Sequence, residues 1–117
     1  MRHACVYDNE VDRENAMNSI RRLLSQFENL YRNLGDVKNG FPASIPLEQL
    51  EGREQYDPAM LEVNLMFGSP ERVIEKLKKY EALGVNEFIY YASMGLDHAS
   101  QQKSLRMFVN EVMPEFK

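Results

Sequence analysis

The chain has 117 residues, 44% hydrophobic and 27% charged, with a net charge of −4. That length suits one domain and not two, and the composition is that of a soluble globular protein. The acidic balance argues against a nucleic-acid partner, which calls for a Lys/Arg stripe; the densest cationic cluster, Lys76, Lys78 and Lys79, is flanked by Glu75 and Glu81. The single cysteine, Cys5, allows neither an intramolecular disulfide nor a cysteine-based zinc site, and fits a reducing cytoplasm. No apolar run is long enough to span a bilayer, and Met1-Arg2-His3 does not open a signal peptide.

His3 to Tyr7 reads as a short strand, entered so soon after Met1 that the chain could begin in mid-fold. From Asp12 a helix follows, its apolar stripe running through Ala16, Ile20, Leu23, Leu24, Phe27, Leu30, Tyr31 and Leu34 at steps of three and four. Asp12 and Glu14 complement its dipole and Gly35 is placed to cap its end. Residues 36–57 hold Gly40, Pro42, Pro46 and Gly52 without sustained periodicity and read as a long surface loop, with one helical turn at Leu47 to Leu50.

Asp57-Pro58 starts a short helix, and Leu65-Met66-Phe67 forms a buried strand. Ser69-Pro70-Glu71 opens the clearest helix: Ser69 caps it, Val73, Ile74, Leu77 and Tyr80 form its buried stripe, and Gly84 closes it. Phe88-Ile89-Tyr90-Tyr91 is a strand expected to be buried on both faces. After a loop from Ser93 to Asp97, the last helix carries Leu105, Phe108, Val109, Val112 and Met113, and Pro114 ends it. The alternation of strands and helices means an α/β fold with parallel strands joined by right-handed crossovers.

Gly68-Ser69-Pro70-Glu71-Arg72-Val73, Gly84-Val85-Asn86-Glu87-Phe88, Met94-Gly95, Ser104-Leu105-Arg106-Met107-Phe108 and Glu111-Val112-Met113-Pro114 occur in that order and spacing. Together they resemble the closing segment of the bacterial-luciferase-like flavin monooxygenases. Cys5-Val6-Tyr7 through Ala16 is also similar to a strand–helix unit of that family, while residues 36–57 lie outside the resemblance. The resemblance implies that residues 1–117 form one partial domain, the last three βα units of a (β/α)8 TIM barrel that needs roughly 250 residues to close. It implies an oxidoreductase that uses reduced flavin, usually FMN, with molecular oxygen on a small organic substrate. It also implies a separate flavin reductase. Most flavin contacts in the family come from earlier strands, so activity of the chain by itself is not expected.

Barrel active sites form at the C-terminal ends of the strands. The substrate-pocket candidates there are Tyr90, Tyr91, Ser93, Met94 and His98, although packing explains the tyrosines equally well, and side-chain alternation turns one of the two toward the helices. Ser69 and the free amides after it form a weak candidate for flavin phosphate, with Glu71 opposing an anion. His3 and Cys5 read as structural. No nucleophile–base pair, metal-ligand cluster or glycine-rich nucleotide loop is readable. Uncovered strand edges and apolar faces call for a homodimer or for the missing half of a barrel. The competing reading is a non-catalytic βα interaction module that self-associates.

Overall fold

A computed structural model describes residues 2–32 and 36–116. In chain order these form β1 (Arg2–Val6), α1 (Glu10–Arg32), β2 (Val37–Lys38), β3 (Phe41–Pro42), α2 (Pro58–Asn64), β4 (Met66–Gly68), α3 (Pro70–Ala82), β5 (Tyr90–Tyr91) and α4 (His98–Met107). Tight 3-10 turns at Leu47–Leu50 and Glu54–Tyr56 organise the segment before α2.

The helix starts follow local chemistry. Asp57 accepts the N–H groups of Ala59 and Met60 at 2.8 and 3.2 Å, with Pro58 at the first position of α2. Ser69 caps α3 in the same way, and Gly84, at φ +89°, leaves that helix in a conformation only glycine takes easily. Asn9 caps α1 by accepting the Asp12 N–H at 2.9 Å. The expected cap of α1 at Gly35, like Leu34, lies outside the described residues.

β1 is the middle strand. It pairs in parallel with β4 through Ala4–Met66, Cys5–Phe67 and Val6–Gly68, and with β5 through Arg2–Tyr90 and His3–Tyr91. Alternation along β1 sends Cys5 and Tyr7 to one face, against Ala16, Met17 and Ile20 of α1 and Leu61 of α2. Ala4 and Val6 go to the other face, against Val73 and Leu77 of α3 and the Phe108–Val112 turn after α4. Helices therefore cover both faces, making a three-layer α/β arrangement. Three consecutive barrel strands would instead run β1-β4-β5, with helices on one face only.

Lys76 of α3 ties the layers together. Its ammonium donates to the carbonyls of Leu65 and Phe67 at 2.9 and 2.7 Å and to that of Glu62, joining the end of α2 to β4.

Four expectations are corrected. Phe88 to Tyr91 is not a strand buried on both faces: only Tyr90–Tyr91 pairs, at the sheet edge, and Ile89 is 50% exposed. Phe27, Leu30 and Tyr31 of the α1 stripe are exposed. At 23 residues α1 is about 34 Å long and outruns the five-residue strand beneath it. Its second half is covered on a different side, by the Ile45, Leu50 and Tyr56 cluster, and Ser25 and Asn29 are buried there. Residues 36–57 are not one irregular loop, since they hold the β2–β3 hairpin and the two 3-10 turns.

Fourth, Pro114 does not simply end the last helix. α4 widens into a π turn over Phe108–Val112 and tightens into a 3-10 turn over Met113–Phe116. Proline cannot donate to the preceding turn and its ring crowds a carbonyl there, and the wider turn relieves both. The projecting end of α1 makes the molecule elongated: its radius of gyration is 15.6 Å, against about 13 Å for a compact chain of this length.

Candidate functional site

In open α/β sheets ligands sit beyond the C-terminal strand ends, where successive connections leave for opposite faces. Here that point lies between β1, which leads into α1 on one face, and β5, which leads into α4 and the turn on the other. The crevice between them is lined by Cys5, Asp12, Leu96, Lys103 and Ser104, among others, and holds only about 10 Å³. That is at the limit for a single water molecule.

Lys103 and Ser104 fill the crevice. The Lys103 ammonium lies 2.5 Å from Asp12 and 3.4 Å from Asp8, bracing the start of α1 against α4. The hydrogen bond from Lys103 is the main reason the Asp12 carboxyl lies below the usual range, and the amide of Asn9 adds to it. Ser104 is buried. Its hydroxyl accepts the Val6 N–H at 2.7 Å and lies 2.6 Å from the Tyr90 hydroxyl. Burial pushes the Cys5 thiol up to about 11 and the Tyr90 phenol up to about 12, so both are neutral near pH 7. Among the described residues, the crevice holds no ionised nucleophile and no base free of an ion pair.

Of the candidates read from sequence, Tyr90 turns toward α3 and α4, its ring 4.8 Å from Phe108. Tyr91 turns to the opposite face and lies 4.5 Å from the His3 ring. Burial lowers the His3 imidazole, whose buried Nδ1 has no partner among the described residues. Met94 is core, packed with Tyr7 and Leu61 rather than lining a pocket. Ser93 and His98 are exposed, and the His98 Nε2 is 2.9 Å from the amide nitrogen of Gln102. These five side chains do not converge. Ser69 donates its hydroxyl to Glu71 at 2.7 Å, so the α3 N-terminus carries its own carboxylate where a phosphate would sit.

Two polar networks escape a sequence reading. The Tyr7 hydroxyl donates to Glu62 at 2.7 Å, and Glu62 receives Arg13 at 3.1 Å. Burial opposes ionisation of Glu62, but these two donors prevail and its carboxyl is lowered. On the far half of α1, Glu28 accepts from Arg53 at 2.5 Å and from the Tyr56 hydroxyl. Ser104 itself left one signal: it stands four residues before Phe108 and eight before Val112, a small polar side chain on the buried line of its helix.

The crevice between β1 and β5 does not fit a flavin. A pocket for a ligand of that class encloses at least about 300 Å³, far above the volume of the crevice. A larger apolar groove of about 740 Å³ lies at the opposite end of the sheet, between α3 and α4, beside Arg2, Val85 and Phe88. Among the described residues no cluster of His, Cys, Asp or Glu could hold a metal, and no helix is long and apolar enough to cross a membrane.

Over 116 residues, 99% of its length, the chain is 30% identical to the oxygenase component of the flavin-dependent trigonelline monooxygenase of Acinetobacter baylyi. The chain spans about a third (32%) of the length of that relative. This similarity matches the resemblance to flavin monooxygenases carried by the motifs. No protein-family model and no solved structure matches the chain.

Proposed function

We propose that the chain is a C-terminal segment of the oxygenase component of a flavin-dependent monooxygenase acting on a small organic substrate. The observation that carries this reading is the similarity to such a component through 99% of the chain. The cofactor is FMN, delivered in reduced form by a separate reductase, and trigonelline is the first substrate to test. Because the crevice between β1 and β5 is filled, the chain alone neither binds flavin nor turns over substrate. Residues beyond this segment complete the site. In the assembled enzyme β1, β4 and β5 stand side by side as consecutive strands of a (β/α)8 barrel, an order that differs from the sheet of the isolated chain.

A chimera tests this. The chain replaces the matching segment of the Acinetobacter relative, and FMN binding and oxygen-dependent loss of trigonelline are measured. Retained flavin binding and turnover are expected. A chimera that folds but takes up no flavin counts against the proposal. The competing reading, a βα module with no catalytic role, draws on the lack of any free acid, base or nucleophile in the crevice. Flavin binding and turnover by the chimera would contradict that reading.

A further inference from the structure

Asn39 and Gly40 form the two-residue turn between β2 and β3, and both are exposed. Positive φ at both, +53° and +80°, marks a type I′ turn, for which an Asn-Gly pair is favoured. Of the nine asparagines in the chain, Asn39 alone precedes a glycine. Every other asparagine is followed by a residue whose side chain crowds the next amide nitrogen, and Asn15, Asn18 and Asn29 are also held within α1. A Cβ built on Gly40 would meet nothing within 4 Å, so the approach to its amide is open. Neither the Asn39 carboxamide nor the Gly40 N–H makes a hydrogen bond among the described residues. The hairpin pairs only Val37 with Pro42 and Lys38 with Phe41, and all four residues are exposed. A two-stranded ladder this short is marginal, and its turn opens at little cost.

We propose that Asn39 is a site of spontaneous covalent modification, converted to aspartate and isoaspartate through a succinimide. With the turn open, the Gly40 backbone nitrogen attacks the Cγ of Asn39, an intramolecular step favoured by proximity. The new N–Cγ bond closes the ring, the Cγ–Nδ2 bond breaks, and ammonia leaves with the proton of the Gly40 amide. Water then opens the ring. Entry at Cγ gives aspartate. Entry at the backbone carbonyl carbon gives isoaspartate, in which the chain runs on through the side chain. Nothing is oxidised or reduced, and water is the one co-reactant. Both products add a carboxylate and make the net charge of −4 one unit more negative. Isoaspartate also adds a methylene group to the backbone of the turn. The two-residue connection that sets Lys38 against Phe41 does not fit the longer path, so isoaspartate releases the hairpin. The β4-β1-β5 sheet keeps its pairs, because β2 and β3 form a sheet of their own. This chemistry is local to the hairpin and independent of flavin.

The test incubates the whole chain in mildly alkaline buffer at a temperature where circular dichroism shows it folded, and follows isoelectric focusing, intact mass and peptide maps. Asn39 is expected to gain about 1 Da, as an amide becomes an acid, before any other asparagine does. An acidic band appears in step, and hydroxylamine, which cleaves at the succinimide, releases fragments 1–39 and 40–117. In Asn39→Gln the extra methylene disfavours ring closure, and the band and the fragments are both lost. An acidic band that forms as fast in Asn39→Gln as in wild type overturns the proposal. The chain unfolded in urea supplies the rate without any turn to open. A folded chain that keeps its mass while the unfolded chain converts shows that the hairpin holds Asn39 shut, and overturns it too, as does earlier conversion at a different asparagine.

Discussion

The hydroxyl of Ser104 accepts the backbone N–H of Val6 at 2.7 Å, across 98 residues of chain. The neighbouring Tyr7 N–H bonds to Gly68 on the β4 side, so alternation turns the Val6 N–H toward β5. But β5 pairs only as far as Tyr91, opposite His3, and offers Val6 no carbonyl. A side chain from α4 thus stands in for the missing strand, and the same oxygen meets the Tyr90 hydroxyl at 2.6 Å.

Ser104→Ala therefore leaves a buried N–H and a half-buried phenol without their partner. The expected loss is about 1–3 kcal/mol in urea unfolding, the range for an unsatisfied buried donor. Ser104→Thr keeps the hydroxyl and should recover part of it. Equal stability of wild type and Ser104→Ala would mean that water replaces the hydroxyl.

Gly68 has φ +151°, and a Cβ there would lie 2.9 Å from the Cβ of Arg72. Gly68→Ala combines backbone strain with a clash against the first turn of α3, and should cost about 1–3 kcal/mol. Gly40 also has positive φ but faces open space. Gly40→Ala should cost less, and urea midpoints for the two variants separate the clash from the strain.

Cys5 is 4% exposed, and burial lifts its thiol to about 11. At neutral pH it is both protonated and shielded, so a thiol-specific reagent should label it only as fast as the fold opens. Labelling should accelerate steeply in sub-denaturing urea. Complete labelling within seconds in native buffer would show that β1 frays.

The hydrogen bond from Tyr56 is the first cause holding the Glu28 carboxyl below its usual value of 4.5, and Arg53 adds to it. A carboxyl lowered by folding contributes stability above its unfolded value and loses that contribution as pH falls through the folded one. Glu28→Gln should thus melt below wild type at neutral pH, and the two curves should draw together on the acid side of 4.5. A gap that stays constant with pH would assign the effect to packing.

The sequence alone determined what depends on neighbours a few residues away. Asp57-Pro58 and Ser69-Pro70 start helices because a capping oxygen and a proline act on the next turn, and Gly84 ends one because of its own φ. The turn at Leu47–Leu50 and the positions of β1 and β4 were legible for the same local reasons, as were the ordered motifs that resemble a flavin monooxygenase. The tertiary structure alone decided strand order, the faces the helices take and which apolar stripes are covered. Hydrophobic spacing marks a face for burial without naming its cover, so Ala16 and Ile20 are buried while Tyr31 and Val109, on the same kinds of stripe, are exposed. The candidate site was the least legible part. Tyr90, Tyr91, Ser93, Met94 and His98 are close in sequence, yet a strand alternates its faces and the loop after it turns Met94 into the core. What fills the crevice instead, Lys103 and Ser104, reaches Asp12 and Val6 across more than ninety residues, a distance over which only packing sets the partners.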